Sequence, residues 1–136
     1  MLILDEATSG LDTVIRYEIL DMFLDFIQDE EHSVLISSHI TSDLEKVADY
    51  ITFIHKGEVF LSEEKDRIME NYGIVHCRPE DQARIEPSLV IAVKQTSYDC
   101  QVMVNARELV IKAHPEWIVD KIKLEDILLF KVKEEN

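Results

Sequence analysis

Two short apolar runs stand out near the start of the chain. Leu2-Ile3-Leu4 runs into Asp5-Glu6, and Val34-Leu35-Ile36 runs into Ser37-Ser38-His39. Continuous apolar runs of this length read as strands buried on both faces, as in a parallel sheet. Between them, Ile15, Ile19, Met22, Phe23, Phe26 and Ile27 recur at helical spacing, which predicts an amphipathic helix over 13–28. Asp12 stands at its N-cap position. Strand, helix and strand at these lengths make a βαβ unit with a right-handed parallel crossover. That geometry brings the two strand ends together, so His39 is expected close to Glu6. Gln28 to His32 reads as a polar loop, with His32 in solvent.

Further along, Ser42 and Glu45 have capping-box spacing and predict a helix to about Asp49. Ile51–Ile54 and Glu58–Leu61 flank His55-Lys56-Gly57, a β-hairpin pattern with His55 in the turn. A charged helix over 63–71 is expected to stop at Gly73. The composition changes there. Strands at 74–77, 89–94, 101–104 and 117–119 alternate with helices at 79–85 and 106–114, the latter ended by Pro115. A last helix over 124–132 carries an apolar stripe of Leu124, Ile127, Leu128 and Phe130 to Val132. The order βαββαβ predicts a small split-βαβ sandwich. The expected class is therefore α/β. A partial parallel sheet fills residues 1–72, and a small α+β accessory domain fills 73–136. No internal repeat or low-complexity segment interrupts this.

Composition narrows the functions. With 46% hydrophobic residues among 136, a packed core is expected and global disorder is not. The 28 acidic residues against 14 basic ones give a net charge of −14, which argues against a nucleic-acid phosphate surface. Cys77 and Cys100 suit buried reduced thiols of a cytoplasmic protein, not a disulfide framework or a zinc site. No apolar segment is long enough to span a membrane, and the acidic start does not resemble a signal peptide. A membrane role is expected to run through a separate partner. Trp117 and the methionines read as packing residues.

Chemistry concentrates at the strand ends. Ligands of parallel sheets sit at the carboxyl ends of the strands. Two acids there suit a metal–nucleotide site: Asp5 can hold Mg²⁺, and Glu6 can orient or deprotonate an attacking water. A plain acidic turn accounts for Leu2–Glu6 equally well. His39 offers both a donor and an acceptor; its bland alternative is a histidine bonding the loop backbone.

The flanking residues shift the balance. Leu2-Ile3-Leu4-Asp5-Glu6 followed by Ser9-Gly10-Leu11-Asp12 resembles the Walker B motif and D-loop of ATP-binding cassette (ABC) ATPases, with Ala7 where proline is also common. Ser37-Ser38-His39 resembles the switch-histidine loop of the same family. The resemblance covers about residues 1–62. It implies that Glu6 and His39 are catalytic, that His39 and Asp5 contact bound nucleotide, and that Asp5 is the Mg²⁺ carboxylate. It places Ser9, Gly10, Leu11 and Asp12 at the interface with a second nucleotide-binding domain, in a homodimer or heterodimer. The run from Leu124 to Phe130 is similar to the ending of a C-terminal extension carried by some bacterial members.

Two family features are missing from the sequence. A phosphate cradle needs Gly-x-x-x-x-Gly-Lys-Ser/Thr, and the three glycines, Gly10, Gly57 and Gly73, do not provide it. The Leu-Ser-Gly-Gly-Gln-like signature is absent too. In the family both precede Walker B, so the chain resembles the C-terminal half of an ABC ATP-binding subunit. The implied partners are the N-terminal half, a second nucleotide-binding domain and a transmembrane permease subunit, at the cytoplasmic membrane face, with no nucleic acid. ATP and Mg²⁺ are the implied ligands of a complete subunit; none is expected for the isolated chain, which should be inactive alone. The alternative is a non-enzymatic interaction or dimerisation module. An RNA-helicase acidic box at Asp5-Glu6-Ala7-Thr8 fits less well, because Ser9-Gly10-Leu11-Asp12 follows and the tail around Lys131 and Lys133 is acidic. The transported substrate and the direction of transport are not legible.

Overall fold

The computed structural model describes residues 1–134, with side chains through Lys131. The chain divides into two compact units, Met1–Asp49 and the part from Tyr50 onward. The boundary expected at 72/73 rests on the change of composition near Gly73 and remains a proposal. The fold is mixed α/β, with a small parallel sheet and two antiparallel ones.

In the first unit, β1 (Leu2–Asp5) pairs in parallel with β2 (Val34–Ser37), from Leu2 opposite Val34 to Asp5 opposite Ser37. The crossover contains α1 (Thr13–Phe26). The expected burial on both faces is not met. Leu4, Val34 and Ile36 are half-buried, whereas Ile3 and Leu35 are 70% and 60% exposed. Only two strands form this sheet, and one crossover covers one face. Helix α1 opens as expected, with Asp12 accepting the Ile15 N–H at 3.0 Å. Its inner face is centred on Leu20, fully buried, flanked by Arg16, Phe23 and Ile27. Ile15 and Met22 point outward instead.

Helix α2 (Thr41–Val47) corrects another expectation. Its N-cap is Ile40, with no side-chain cap, so Ser42 lies inside the first turn and forms no capping box. The inward-facing acid there is Asp43.

In the second unit, β3 (Tyr50–His55) and β4 (Glu58–Glu64) form the hairpin. The turn is Lys56-Gly57, with φ of +51° and +78°, the left-handed pair that a two-residue type I′ hairpin requires. His55 is therefore the last strand residue, paired with Glu58, and not a turn residue. Strand β4 runs on to Glu64, so α3 begins only at Lys65 and ends at Asn71. Gly73 does not end that helix in a left-handed cap; the extended Tyr72 does. Gly73 is needed because a Cβ there would lie 3.0 Å from Arg107 Cγ and from the Asp120 carbonyl oxygen.

Strands β5 (Gly73–Cys77), β6 (Val90–Gln95), β7 (Cys100–Val104) and β8 (Ile118–Lys121) make a four-stranded antiparallel sheet in the order β6-β7-β5-β8. Strands β5 and β6 run alike with β7 between them, as do β7 and β8 around β5, which is the expected split-βαβ arrangement. One departure is local. Residues Pro79–Arg84 form 3₁₀ turns instead of an α-helix, followed by another at Pro87–Leu89. Pro87 has no N–H and disfavours helical backbone at Glu86, so the segment ends there after short turns.

Period-two alternation gives this sheet two buried faces. Val75, Cys100, Val102 and Val104 pack with Ile85 and with Val110 of α4 (Arg107–Ala113). On the other face Ala92 and Met103 line a small cleft with Phe60 and Ile127. Ile127 belongs to α5 (Leu124–Glu134), which buries Leu124, Ile127 and Phe130 as expected. The expected contribution of Val132 to that stripe, and the side chain of Lys133, lie outside the described residues. Trp117 packs against the core and stacks on His114, with ring centroids 4.0 Å apart.

Candidate functional site

The parallel register fixes what meets at the carboxyl ends of β1 and β2. Asp5 stands opposite Ser37, whose hydroxyl donates to Asp5 Oδ1. Beyond the ladder, the Glu6 N–H donates to the Ser37 carbonyl at 2.8 Å. Glu6 then takes φ of +51°, a left-handed conformation uncommon for a residue with a side chain. This turns the chain at the strand end while the Glu6 carboxylate faces the second loop. There the His39 N–H donates to Glu6 Oε1 at 3.1 Å, and His39 Nδ1 lies 2.9 Å from Glu6 Oε2. The carboxylate is thus held by backbone and ring of one residue. Both side chains are accessible, His39 at 72% and Glu6 at 37%. The expected approach of His39 to Glu6 is observed.

The hydrogen bond sets the state of the ring. An ionised carboxylate only accepts, so Nδ1 carries the proton in this pairing. Neutral His39 then presents a lone pair at Nε2, and only imidazolium can donate there while still bonded to Glu6.

Ser9, Gly10, Leu11 and Asp12 follow at the surface. The Ser9 N–H donates to the Glu6 carbonyl at 3.1 Å, and Gly10 takes φ of +78°. These contacts wind the segment into tight turns ahead of the Asp12 cap.

Among the described residues no group of three or more His, Cys, Asp or Glu side chains could enclose a metal. Mg²⁺ keeps waters and takes one or two carboxylates plus substrate phosphates, so it needs no all-protein cage. Asp5, exposed and joined to the Ser37 hydroxyl, fits such a shared site.

The sequence reading missed a triad centred on a buried carboxylate behind these loops. Asp43 is 2% exposed and Thr8 1% exposed. The Thr8 hydroxyl donates to Asp43 Oδ2 at 2.8 Å, and Arg16 Nε donates to Asp43 Oδ1 at 3.0 Å. A signal existed. Arg16 shares the inner face of α1 with Leu20 and Phe23, and Asp43 lies on the inner face of α2. One charge of each sign on two facing apolar stripes is the mark of an internal ion pair.

Comparison with known proteins bears on the site at this point. No model of a known protein family matches the chain. Individual relatives do match. The lantibiotic transport ATP-binding protein SrtF of Streptococcus pyogenes is 42% identical over 66 residues, which is 48% of this chain and 28% of that protein. The ABC transporter ATP-binding protein YtrB of Bacillus subtilis is 31% identical over 72 residues, 53% of this chain and 25% of its own length. About half of this chain is thus similar in sequence to ABC transporter ATP-binding proteins. The energy-coupling factor transporter ATP-binding protein EcfA2 of Bacillus thuringiensis adds 32% identity over 71 residues, 52% of this chain and 24% of its own. The chain therefore spans about a quarter of the curated relatives it matches. No helix among the described residues is long and apolar enough to cross a membrane.

Proposed function

We propose that this chain forms part of the nucleotide-hydrolysing face of an ABC transporter's ATP-binding subunit, working with the phosphate-binding half of that subunit, a second nucleotide-binding domain and a membrane permease. The observation that carries this reading is the convergence of Glu6 and His39 across two parallel strand ends, with 2.9 Å between Nδ1 and Oε2. In this reading Glu6 polarises the water that attacks the γ-phosphate, and His39 contacts the phosphate. Asp5 and Ser37 are the residues that would hold Mg²⁺, which would neutralise charge on the phosphates. Ser9 to Asp12 face the second domain.

The resting hydrogen bond imposes an order on this chemistry. A phosphate oxygen accepts, so His39 must donate from Nε2. Neutral His39 achieves that only by releasing Glu6, which frees the carboxylate for water. With a neutral ring, the pair thus keeps both groups engaged with each other until nucleotide separates them.

The isolated chain should neither bind nor hydrolyse Mg·ATP, because the amides and lysine that cradle phosphates are not among its residues. Micromolar binding by calorimetry would overturn that. In a complete subunit carrying these residues, Glu6→Gln should lower turnover by roughly 10²-fold or more, with ATP affinity retained. Near-normal turnover would reduce Glu6 to a structural carboxylate.

A further inference from the structure

We propose that Asp43 is a positioning residue that locks the loop carrying Glu6 to the loop carrying His39, with Thr8 and Arg16 as its two attachments. The catalytic consequence rests on the function proposed above; the locking itself does not.

Three segments meet at one carboxylate. Thr8 lies two residues after Glu6, in the turns that lead to Asp12. Asp43 lies four residues after His39, in the first turn of α2. Arg16 lies in the first turns of α1. Each oxygen of Asp43 takes one donor, Oδ2 from Thr8 and Oδ1 from Arg16. The Thr8–Asp43 contact is dry, since both residues are almost fully buried, while Arg16 is 22% exposed. In such surroundings a carboxylate holds its donors firmly, since water cannot replace them.

The geometry explains why Glu6 needs this anchor. Its φ of +51° is a conformation that a residue with a Cβ leaves unless neighbours hold it. On one side the Glu6 N–H is fixed to Ser37. On the other side the Ser9 N–H donates to the Glu6 carbonyl, and the first buried attachment is Thr8. Glu6 is thus pinned between a ladder bond and the Asp43 bond, with its side chain reaching outward to His39. Release of Thr8 lets the turn relax toward ordinary φ and carries the carboxylate away from the His39 amide. Because Asp43 sits on the helix that follows His39, the same contact sets the distance between the two loops. Ser9 and Gly10 follow Thr8 directly, so the anchor also orients the surface segment proposed to meet a second domain.

The test uses hydrogen exchange on the full 136-residue chain, read by mass spectrometry in two peptides. One covers residues 36–40, including the His39 amide; the other covers 20–26 in the middle of α1. Thr8→Val removes the donor and keeps the shape. It should speed exchange in 36–40 by about tenfold relative to 20–26. Thr8→Ser restores the hydroxyl and should restore wild-type protection. Asp43→Asn keeps the outline with one oxygen acceptor for two donors, and should give a severalfold increase in the same ratio. If Thr8→Val does not fold, the Asp43→Asn ratio decides. An unchanged ratio, or equal acceleration in both peptides, overturns the proposal. Because exchange needs no nucleotide, the outcome is independent of the Glu6→Gln turnover test. A positive exchange result with normal Glu6→Gln turnover would keep the lock and discard the catalytic reading.

Discussion

Arg107 offers the sharpest test of how the second unit holds together. It is only 8% exposed, yet its guanidinium has backbone partners. Nη1 donates to the Tyr72 carbonyl and Nη2 to the Glu70 carbonyl, both at 2.8 Å. These carbonyls lie at the C-terminal end of α3, where helical acceptors have no intrahelical donor and the macrodipole favours a cation. Arg107→Met keeps an unbranched stem beside Gly73 and removes the fork. Each charge-assisted bond contributes about 1.5–3 kcal/mol. Relief from burying the cation offsets part of the loss. The net expectation is a loss of roughly 3 kcal/mol, or about 10 °C in melting temperature for a chain of this size. Arg107→Lys should lie between, because one ammonium on a flexible stem does not reproduce two parallel N–H bonds. Urea unfolding followed by the fluorescence of Trp117, which belongs to the same unit, measures all three chains. A change below about 0.5 kcal/mol in Arg107→Met, the range of neutral surface substitutions, would refute the reasoning. It would mean that desolvation of the guanidinium cancels its two bonds.

Other expectations can be checked with equally simple means. Gly73→Ala should destabilise by about 1–3 kcal/mol, as overpacking does, because the Asp120 carbonyl in its way is backbone and cannot swing aside; denaturation midpoints indistinguishable from wild type would count against this. Burial, aided by the adjacent Cys100 thiol and by Asp81 and Asp99, pushes Cys77 up to about 12. Native Cys77 should therefore react with iodoacetamide at pH 8.5 at least about tenfold more slowly than in urea, since the thiolate is the nucleophile. The sign for stability follows: the contribution of the neutral thiol is complete below the unfolded value of 9.0 and lost as pH rises toward 12. Cys77→Ser should flatten that part of the pH–stability curve. Finally, the exposed Met1, Ile3 and Leu35 on an open two-stranded sheet should drive concentration-dependent self-association. Light scattering that stays monomeric across a dilution series would contradict it.

The legible parts of the fold were those written in local pattern. Apolar runs ending in polar clusters located β1 and β2, and the Asp12 cap located the start of α1. The spacing of strands after Gly73 was enough to anticipate the split-βαβ order. What stayed hidden depends on partners distant in sequence. Ser42 and Glu45 have capping-box spacing, but Asp43 between them is drawn inward by Thr8 and Arg16, and the helix starts earlier. Gly73 looks like a helix stop beside Asn71, yet its requirement comes from Arg107 and Asp120, more than thirty residues away. Ile3 and Leu35 read as core residues by composition, whereas a sheet of two strands leaves their side open. Within the candidate site, the proximity of Glu6 and His39 followed from βαβ topology. The hydrogen bonds between them are set by side-chain geometry that no local pattern encodes, whereas the Arg16–Asp43 pair left a trace in the placement of the two charges on inner helix faces.

Backbone strain alone would be a poor guide to the site, and the chain contains its own control. Among the described residues, Glu6 and Lys56 are the two non-glycine residues with positive φ, each at +51°. At Lys56 the hairpin accounts for it: a two-residue turn needs two left-handed residues, and Gly57 supplies the second. At Glu6 no hairpin imposes the conformation, because β1 leads into a crossover. The strain is held by bonds to two other segments, from Glu6 to Ser37 and from Thr8 to Asp43. It also has a chemical result, since it leaves a carboxylate against both the amide and the ring of His39. The left-handed turn therefore argues for function only in combination with what sustains it and what it presents. Removing the sustaining bonds should abolish the presentation at Glu6, while any change at Asp43 should leave Lys56 untouched.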